Sequence, residues 1–385
     1  MNSTSNTSTL TRWTNSILIG LFVTLLWLPT LDTFFHIDYT PARAENRAMA
    51  AFPKLQSGGR GLQAYLAQLE AWFNDHFGFR KCLVQWNNKL RWSLFKDITT
   101  RSALVGKDNW LYIKDGQMIE HYRGQLQFTP EQLHDWQVLL EKRRDWLARR
   151  GITYLFVVAP DKQTIYPENL PDWMTKIQPQ TKLDQFFAYM RAHSTVPVLD
   201  LRPVLIEAKQ TRPTYLKTDT HWNVFGGFVA YQELVRNLAK SLPALKLEPA
   251  SITSFDVTNR LEPGGDLNKI LGLSLTESNA YFLVPKPELP RFAVPLSTPE
   301  NLKETKFTNN PRTRGRVIIF RDSFAENWIQ FLGYNFNQVT YFFQNNLDTN
   351  RIAQNPPADL VVSEMVERVF NVEDPTQLLA EEALN

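Results

Sequence analysis

The 385-residue sequence has a single cysteine, Cys82, and six histidines. One thiol excludes an internal disulfide and a cysteine-rich metal centre, and no histidine pair or His/Cys cluster stands at metal-ligand spacing. The pairs Gly226-Gly227 and Gly264-Gly265 have neither a P-loop lysine nor a GxGxxG frame around them, so no phosphate-cradling loop is indicated. A net charge of +3, with bases and acids interspersed as in Glu141-Lys142-Arg143-Arg144-Asp145, leaves no basic stripe for nucleic acid. The expected chemistry therefore uses no metal and no cofactor. Long hydrophobic runs are also missing, with one exception near the amino terminus. What remains, 43% hydrophobic and 21% charged residues, is the composition of a folded globular protein.

The exception spans residues 13–35 and is long enough to cross a bilayer, which takes about 20 residues. The small-x-small sequence Ala42-Arg43-Ala44 lies too far beyond it for an ordinary signal cleavage site. The reading is a polar cytoplasmic tail at 1–12, an uncleaved anchor at 13–35 and a linker at 36–61. Residues from about 45 onward then lie outside the cytoplasm. A domain over 62–385 follows. Leu62, Tyr65, Leu66, Leu69, Trp72 and Phe73 recur at helical spacing, Gly78 breaks that helix, and a second runs from about 82 to 95 with Cys82 expected in its core face. Residues 105–113 read as a hairpin. Strand and helix then alternate. Thr129-Pro130-Glu131-Gln132 is a capping box opening a helix that ends at Gly151. Residues 152–159 form a buried parallel strand, 182–193 a helix, 196–201 a strand and 224–241 a helix. An excursion rich in proline occupies about 242–313. Strands resume at 316–320, 338–343 and 360–363. The fold class is α/β, a doubly wound and mostly parallel sheet after an N-terminal membrane helix.

Two stretches carry chemistry, Thr218-Asp219-Thr220-His221-Trp222-Asn223 and Arg321-Asp322-Ser323-Phe324. On an extended backbone Asp219 and His221 leave one face, where the carboxylate would hold the imidazole in one tautomer. Ser323 supplies a hydroxyl for that imidazole to deprotonate, which gives an acid, base and nucleophile in chain order and points to acyl transfer or ester hydrolysis. Each residue has a structural alternative. Ser323-Phe324-Ala325-Glu326 is itself a capping box, Asp219 can cap the next helix, and His221 can be a satisfied core residue. The sheet edge that follows strand 316–320 is where ligands bind in open α/β folds, which favours the chemical reading.

These residues carry a resemblance. Asp219-Thr220-His221-Trp222 with Asp322-Ser323-Phe324 resembles the alginate O-acetyltransferase family, in its membrane-anchored branch, whose catalytic domain is similar to a circularly permuted SGNH hydrolase. Glu45-Asn46-Arg47, Asp75-His76-Phe77-Gly78-Phe79-Arg80, Trp110-Leu111-Tyr112, Pro160-Asp161-Lys162 and Glu364-Met365-Val366-Glu367-Arg368 resemble family segments in the same order. The resemblance implies that Asp219 orients, His221 is the base and Ser323 the nucleophile. It implies an O-acetyltransferase with acetylesterase activity, working through an acyl-serine on an extracytoplasmic polysaccharide. The acetyl would come from a multispanning membrane acyltransferase. The protein would be single-pass in the inner membrane, facing the periplasm. The competing expectation is a non-catalytic anchored subunit of an exopolysaccharide assembly complex.

Overall fold

Apolar runs without alternation suit strands buried on both faces, and four such runs build the central sheet. The computed structural model describes residues 4–35, 50–54, 59–95, 100, 102–115, 117–289, 292, 305–355 and 357–381. They fall into two compact units, residues 1–98 with 270–273, and residues 99–269 with 274–385.

The first unit carries helices Thr4–Phe35, Gly59–His76 and Arg80–Phe95. Arg12–Asp32 is long and apolar enough to cross a membrane, and its large apolar side chains are exposed. The helix starts at Thr4, within the stretch read as a tail, and continues through Pro29. Most of the expected linker, including Glu45-Asn46-Arg47, lies outside the described residues. Gly78 breaks the chain between the second and third helices as expected; a Cβ there would collide with the Pro29 carbonyl. The Asp32 carboxylate accepts from the Phe79 amide at 2.9 Å beside it. Cys82, expected inside, is exposed. Its helix has more apolar positions than the unit covers, Trp86 and Leu90 among the exposed ones, so a place in the pattern does not guarantee burial.

The second unit begins with a hairpin, β1 (Ala103–Val105) and β2 (Leu111–Ile113). Thr129 and Gln132 form the expected capping box, and its helix runs Pro130–Ala148 before Gly151 turns the chain at φ +72°. Strands β3 (Thr153–Ala159) and β4 (Val198–Asp200) follow, separated by the helix Lys182–His193. After the helix Val224–Ser241, the excursion holds an antiparallel ribbon of β5 (Phe255–Pro263) and β6 (Thr276–Pro285), then β7 (Thr305–Asn309). The last strands are β8 (Arg316–Arg321), β9 (Gln338–Phe343) and β10 (Leu360–Val366). The sheet order is β4-β3-β10-β8-β9-β7, parallel throughout except for β7, which runs antiparallel on the β9 edge.

Alternate residues of β3 feed two separate cores, as a strand with period two requires. Leu155, Val157 and Ala159 pack with Phe228 and Leu234 of the Val224–Ser241 helix. Tyr154, Phe156 and Val158 pack with Trp136 and Leu140 of the Pro130–Ala148 helix and with Phe186. The sheet is thus doubly wound, and the carboxyl ends of β3, β10 and β8 stand side by side with Asp161, Glu367 and Asp322 just beyond them.

Candidate active site

The segment 217–221 is not extended, contrary to the simplest reading of the Asp-x-His spacing; it is a run of bends between Tyr215 and Trp222, which form an isolated antiparallel bridge. Backbone groups outside regular structure still need partners. Here charged side chains supply them. Glu277 of β6 accepts the amides of Lys217 at 3.0 Å and Thr218 at 2.8 Å, and the Thr218 hydroxyl at 2.6 Å. Asp266 accepts the Thr220 amide at 2.8 Å and its hydroxyl at 2.6 Å. From the other side the Lys162 ammonium donates to the carbonyls of Leu216, Lys217 and Asp219 at 2.9, 3.1 and 2.6 Å. Burial lowers the Lys162 pKa to about 8, against the opposing pull of Asp219, Glu277 and Asp266.

In this frame Asp219 Oδ1 accepts from the His221 amide at 3.1 Å and lies 2.6 Å from His221 Nδ1, so a turn rather than a pleat brings the two side chains together. The other carboxylate oxygen accepts from the Asp266 amide at 2.9 Å. Burial works to raise the Asp219 pKa. The hydrogen bond and charge of His221 and the amides of Asp266 and His221 outweigh it, holding the carboxyl below its ordinary range. Gly265 makes the approach possible, because a Cβ there would collide with the Asp219 carboxylate. Asp219 does not cap the following helix. Asn223 does, its Oδ1 accepting from Gly226 at 2.9 Å.

Ser323 follows β8 at the head of a short 3₁₀ helix, Phe324–Trp328, and makes no capping bond. Asp322 takes that role: one oxygen accepts from the Phe324 amide at 2.8 Å and the other from Val366 of β10 at 2.7 Å. The Asp322 amide donates to Glu364 Oε2 at 3.0 Å. Glu364 is fully buried, and burial together with the Asp322 charge pushes its carboxyl well above the usual range. Freed from capping, Ser323 Oγ lies 2.7 Å from His221 Nε2. Trp222 closes the arrangement by donating from Nε1 to the Phe324 carbonyl at 3.0 Å, and the Phe324 ring lies 5.0 Å from that of His221.

All three residues singled out from sequence, Asp219, His221 and Ser323, therefore meet in one hydrogen-bonded relay at the carboxyl edge of the sheet. The side chains of Asp219 and His221 are 17% and 26% exposed, so the relay faces solvent without being washed by it. Asp219, His221 and Asp266 also offer ligand atoms within 4.8 Å of one another. Those atoms are already engaged: Nδ1 with Asp219, and the Asp266 oxygens with Thr220. Sequence reasoning gave no role at the site to Lys162, Gly265 or Glu364, although each lay in a stretch it singled out, and missed Asp266 and Glu277 altogether. The Gly264-Gly265-Asp266 string was a usable signal, since paired glycines mark a close approach whether or not a phosphate is the thing approached.

A doubly wound α/β unit with such a relay at its edge has the architecture of the SGNH-hydrolase-like class. Residues 103–333, more than half of the chain, match the family described as SGNH hydrolase-like domain, acetyltransferase AlgX, and the chain belongs to that family. It is 30% identical over 222 residues to the probable alginate O-acetylase AlgJ of Pseudomonas syringae pv. tomato, covering 57% of this chain and 53% of that protein. To the Pseudomonas fluorescens protein of the same name it is 25% identical over 326 residues, covering 82% of this chain and 70% of that one. The chain thus spans about half the length of the first of these relatives. Among solved structures, Bacillus cereus PatB1 shares the fold, with a TM-score of 0.54 at 16% identity over 72% of this chain and 98% of that one.

Proposed function

We propose that the chain is an O-acetyltransferase that moves acetyl groups onto a polysaccharide through an acyl-serine. The observation that carries it is the relay itself, with Ser323 Oγ 2.7 Å from His221 Nε2 and His221 Nδ1 2.6 Å from Asp219. Both distances lie in the range proton transfer needs. In the first half-reaction Ser323 Oγ attacks the donor's acetyl carbonyl and its proton passes to His221. The donor oxygen then departs, taking that proton. In the second, a sugar hydroxyl attacks the acetyl-serine, gives its proton to His221, and leaves as the acetate ester while the proton returns to Ser323. Asp219 keeps Nδ1 as the protonated nitrogen throughout and stabilises the imidazolium. The names of the curated relatives, probable alginate O-acetylases, support acetyl as the group and a polysaccharide as the acceptor.

The Arg12–Asp32 helix supports a single-pass anchor in the inner membrane with the catalytic unit on the periplasmic side. Tethering suits a transferase fed by a multispanning membrane acyltransferase, because it raises effective concentration at the donor. The test is partitioning. Full-length protein in detergent receives an activated acetyl ester and candidate oligosaccharides, and acetylated sugar is counted against free acetate by mass spectrometry. Ser323→Ala should lower turnover at least about 10³-fold with an unchanged melting curve. Wild-type turnover in that variant would leave Ser323 without a catalytic role; absence of turnover in the wild-type protein would leave the chain a non-catalytic subunit; acetate as the sole product would make it an esterase. A reporter active only in the cytoplasm, fused after Asn385, should be silent.

A further inference from the structure

The helix Arg80–Phe95 has two faces, and the polar one is the attached one. Gln85 and Asn88 meet the segment 270–273, which belongs to the same unit. Asn88 is buried and donates from Nδ2 to the Leu271 carbonyl at 2.9 Å, and a Cβ on Gly272 would collide with the Gln85 side chain. Leu83, Trp86, Leu90 and Leu94 recur at three- and four-residue spacing, forming one stripe with exposures of 52, 72, 58 and 62%. Gln85 and Asn88 each stand two residues beyond a member of that stripe, about 200° round the helix, so the stripe points away from the attachment. This inverts the order of a soluble helix, whose apolar stripe faces a core. Leu62, Leu66 and Phe73 are exposed in the same way on the helix before the turn. Contiguous apolar surface left in the open marks a protein partner or a membrane.

Position and charge choose between the two. The turn that opens the helix is fixed to the end of the apolar span Arg12–Asp32, where a Cβ on Gly78 would collide with the Pro29 carbonyl and the Phe79 amide donates to Asp32 at 2.9 Å. A span that crosses a bilayer ends at the lipid headgroups, so the helix that starts at Arg80 starts at that level. From there it extends about 24 Å at 1.5 Å per residue. Its sequence holds four bases, Arg80, Lys81, Lys89 and Arg91, and no acid. Lys89 and Arg91 are exposed and stand about 100° to either side of Leu90. That is the pattern of a helix lying in an interface. Apolar residues enter the acyl region, long cationic side chains reach back to the lipid phosphates, and a tryptophan sits at the boundary.

We propose that Arg80–Phe95 lies along the bilayer surface with Leu83, Trp86, Leu90 and Leu94 in the lipid, a second membrane contact beside the anchor. The proposal rests on the anchor reading above, because the Arg12–Asp32 helix sets the level at which Arg80–Phe95 begins. A single interfacial helix binds lipid reversibly when free; joined to an anchor, its binding becomes intramolecular and persists. The membrane-bound part of the chain then reaches to Phe95, and the stretch between the anchor and that residue is not a free linker.

The experiment reads depth on full-length protein in vesicles of phosphatidylcholine and phosphatidylglycerol. In a Cys82→Ser background, single spin labels are attached through Trp86→Cys, Leu90→Cys, Leu94→Cys and Arg91→Cys. All four sites are exposed, so the labels leave the packed face intact. Collision of each label with oxygen, which concentrates in lipid, is compared with collision with a water-soluble nickel chelate. The three stripe labels should read about 5–10 Å inside the phosphate level, and the Arg91→Cys label at that level or outside it. Stripe labels open to the chelate would put the face in water, and labels closed to both reagents would put it against protein, whether a second copy or another chain. Either result overturns the proposal. A further label through Leu21→Cys reports on the anchor alone. Chelate contact there would bring down the anchor reading and this one with it, whereas stripe labels out of lipid with Leu21→Cys in lipid would overturn this one only.

Discussion

Removing the Lys162 ammonium tests whether the loop bearing Asp219 and His221 is held from below. In Lys162→Met three carbonyls, those of Leu216, Lys217 and Asp219, lose their donor. Hydrogen bonds to a charged group contribute about 1.5–3 kcal/mol each, so three bring roughly 5–9 kcal/mol. Against this, keeping the ammonium buried lowers its pKa from 10.5 to about 8 and costs roughly 3 kcal/mol, at about 1.4 per pKa unit. The net expectation is a loss of about 2–6 kcal/mol in stability, with a larger effect on activity because the loop also aims the imidazole. pH separates the two effects. The folded-state value lies below the unfolded one, so between about pH 8 and 10.5 the unfolded chain binds more protons, and stability from this group rises with pH. Activity goes the other way, since a neutral amine has two hydrogens for three carbonyls. Thermal unfolding and activated-ester turnover of full-length protein, wild type against variant, measured from pH 7 to 10, show both. A variant that melts and turns over like wild type across that range would refute the argument.

Gly265→Ala places a methyl group against the Asp219 carboxylate. Relieving the clash moves either Asp219 or the Gly265 segment, at about 1–3 kcal/mol of stability, and turnover should fall at least tenfold; turnover equal to wild type would show the approach is not needed. Glu364→Gln replaces a carboxyl already pushed toward its neutral form by burial and Asp322, so stability at neutral pH should change by less than about 1.5 kcal/mol, whereas Glu364→Ala should cost about 3 kcal/mol for the cavity and the unpaired Asp322 amide. With a folded pKa above the unfolded 4.5, wild type should lose stability relative to Glu364→Gln as pH rises above 4.5. A flat difference in denaturation midpoints from pH 4 to 7 would contradict a neutral Glu364.

The periodic parts of this chain were legible. The run at 152–159, the capping box at Thr129 and the helix from Val224 each follow from neighbouring residues, and each is where the pattern put it. The relay was legible too, but for a partly wrong reason. Asp219 and His221 converge through a turn, and that turn is shaped by Glu277, Asp266 and Lys162, which stand 46 to 60 residues away in sequence from the groups they hold. No local period marks a carboxylate whose work is to receive distant amides. The excursion at 242–313 was opaque for the same reason. It contributes Glu277, Gly265 and Asp266 to the loop and β7 to the sheet edge, all through long-range contacts. Ser323 illustrates the opposite error, a capping box in letters whose cap is Asp322 in fact.

The place of β10 in the sheet has a kinetic consequence. β3 and β4 on one side, and β8, β9 and β7 on the other, are joined through β10, which pairs with both. Leu360 meets Thr153 across a separation of more than two hundred residues, so neither half can be completed as the chain is made. The loop closure that brings them together must be paid for before its contacts reward it, and such topologies fold slowly. Until residues 360–366 arrive, Asp322 lacks the Val366 amide and Glu364, and Ser323 has no fixed address. The candidate relay therefore cannot be completed before β10, the last strand, is in place. During that interval the edges of β3 and β8 that β10 will cover are unpaired and open to aggregation.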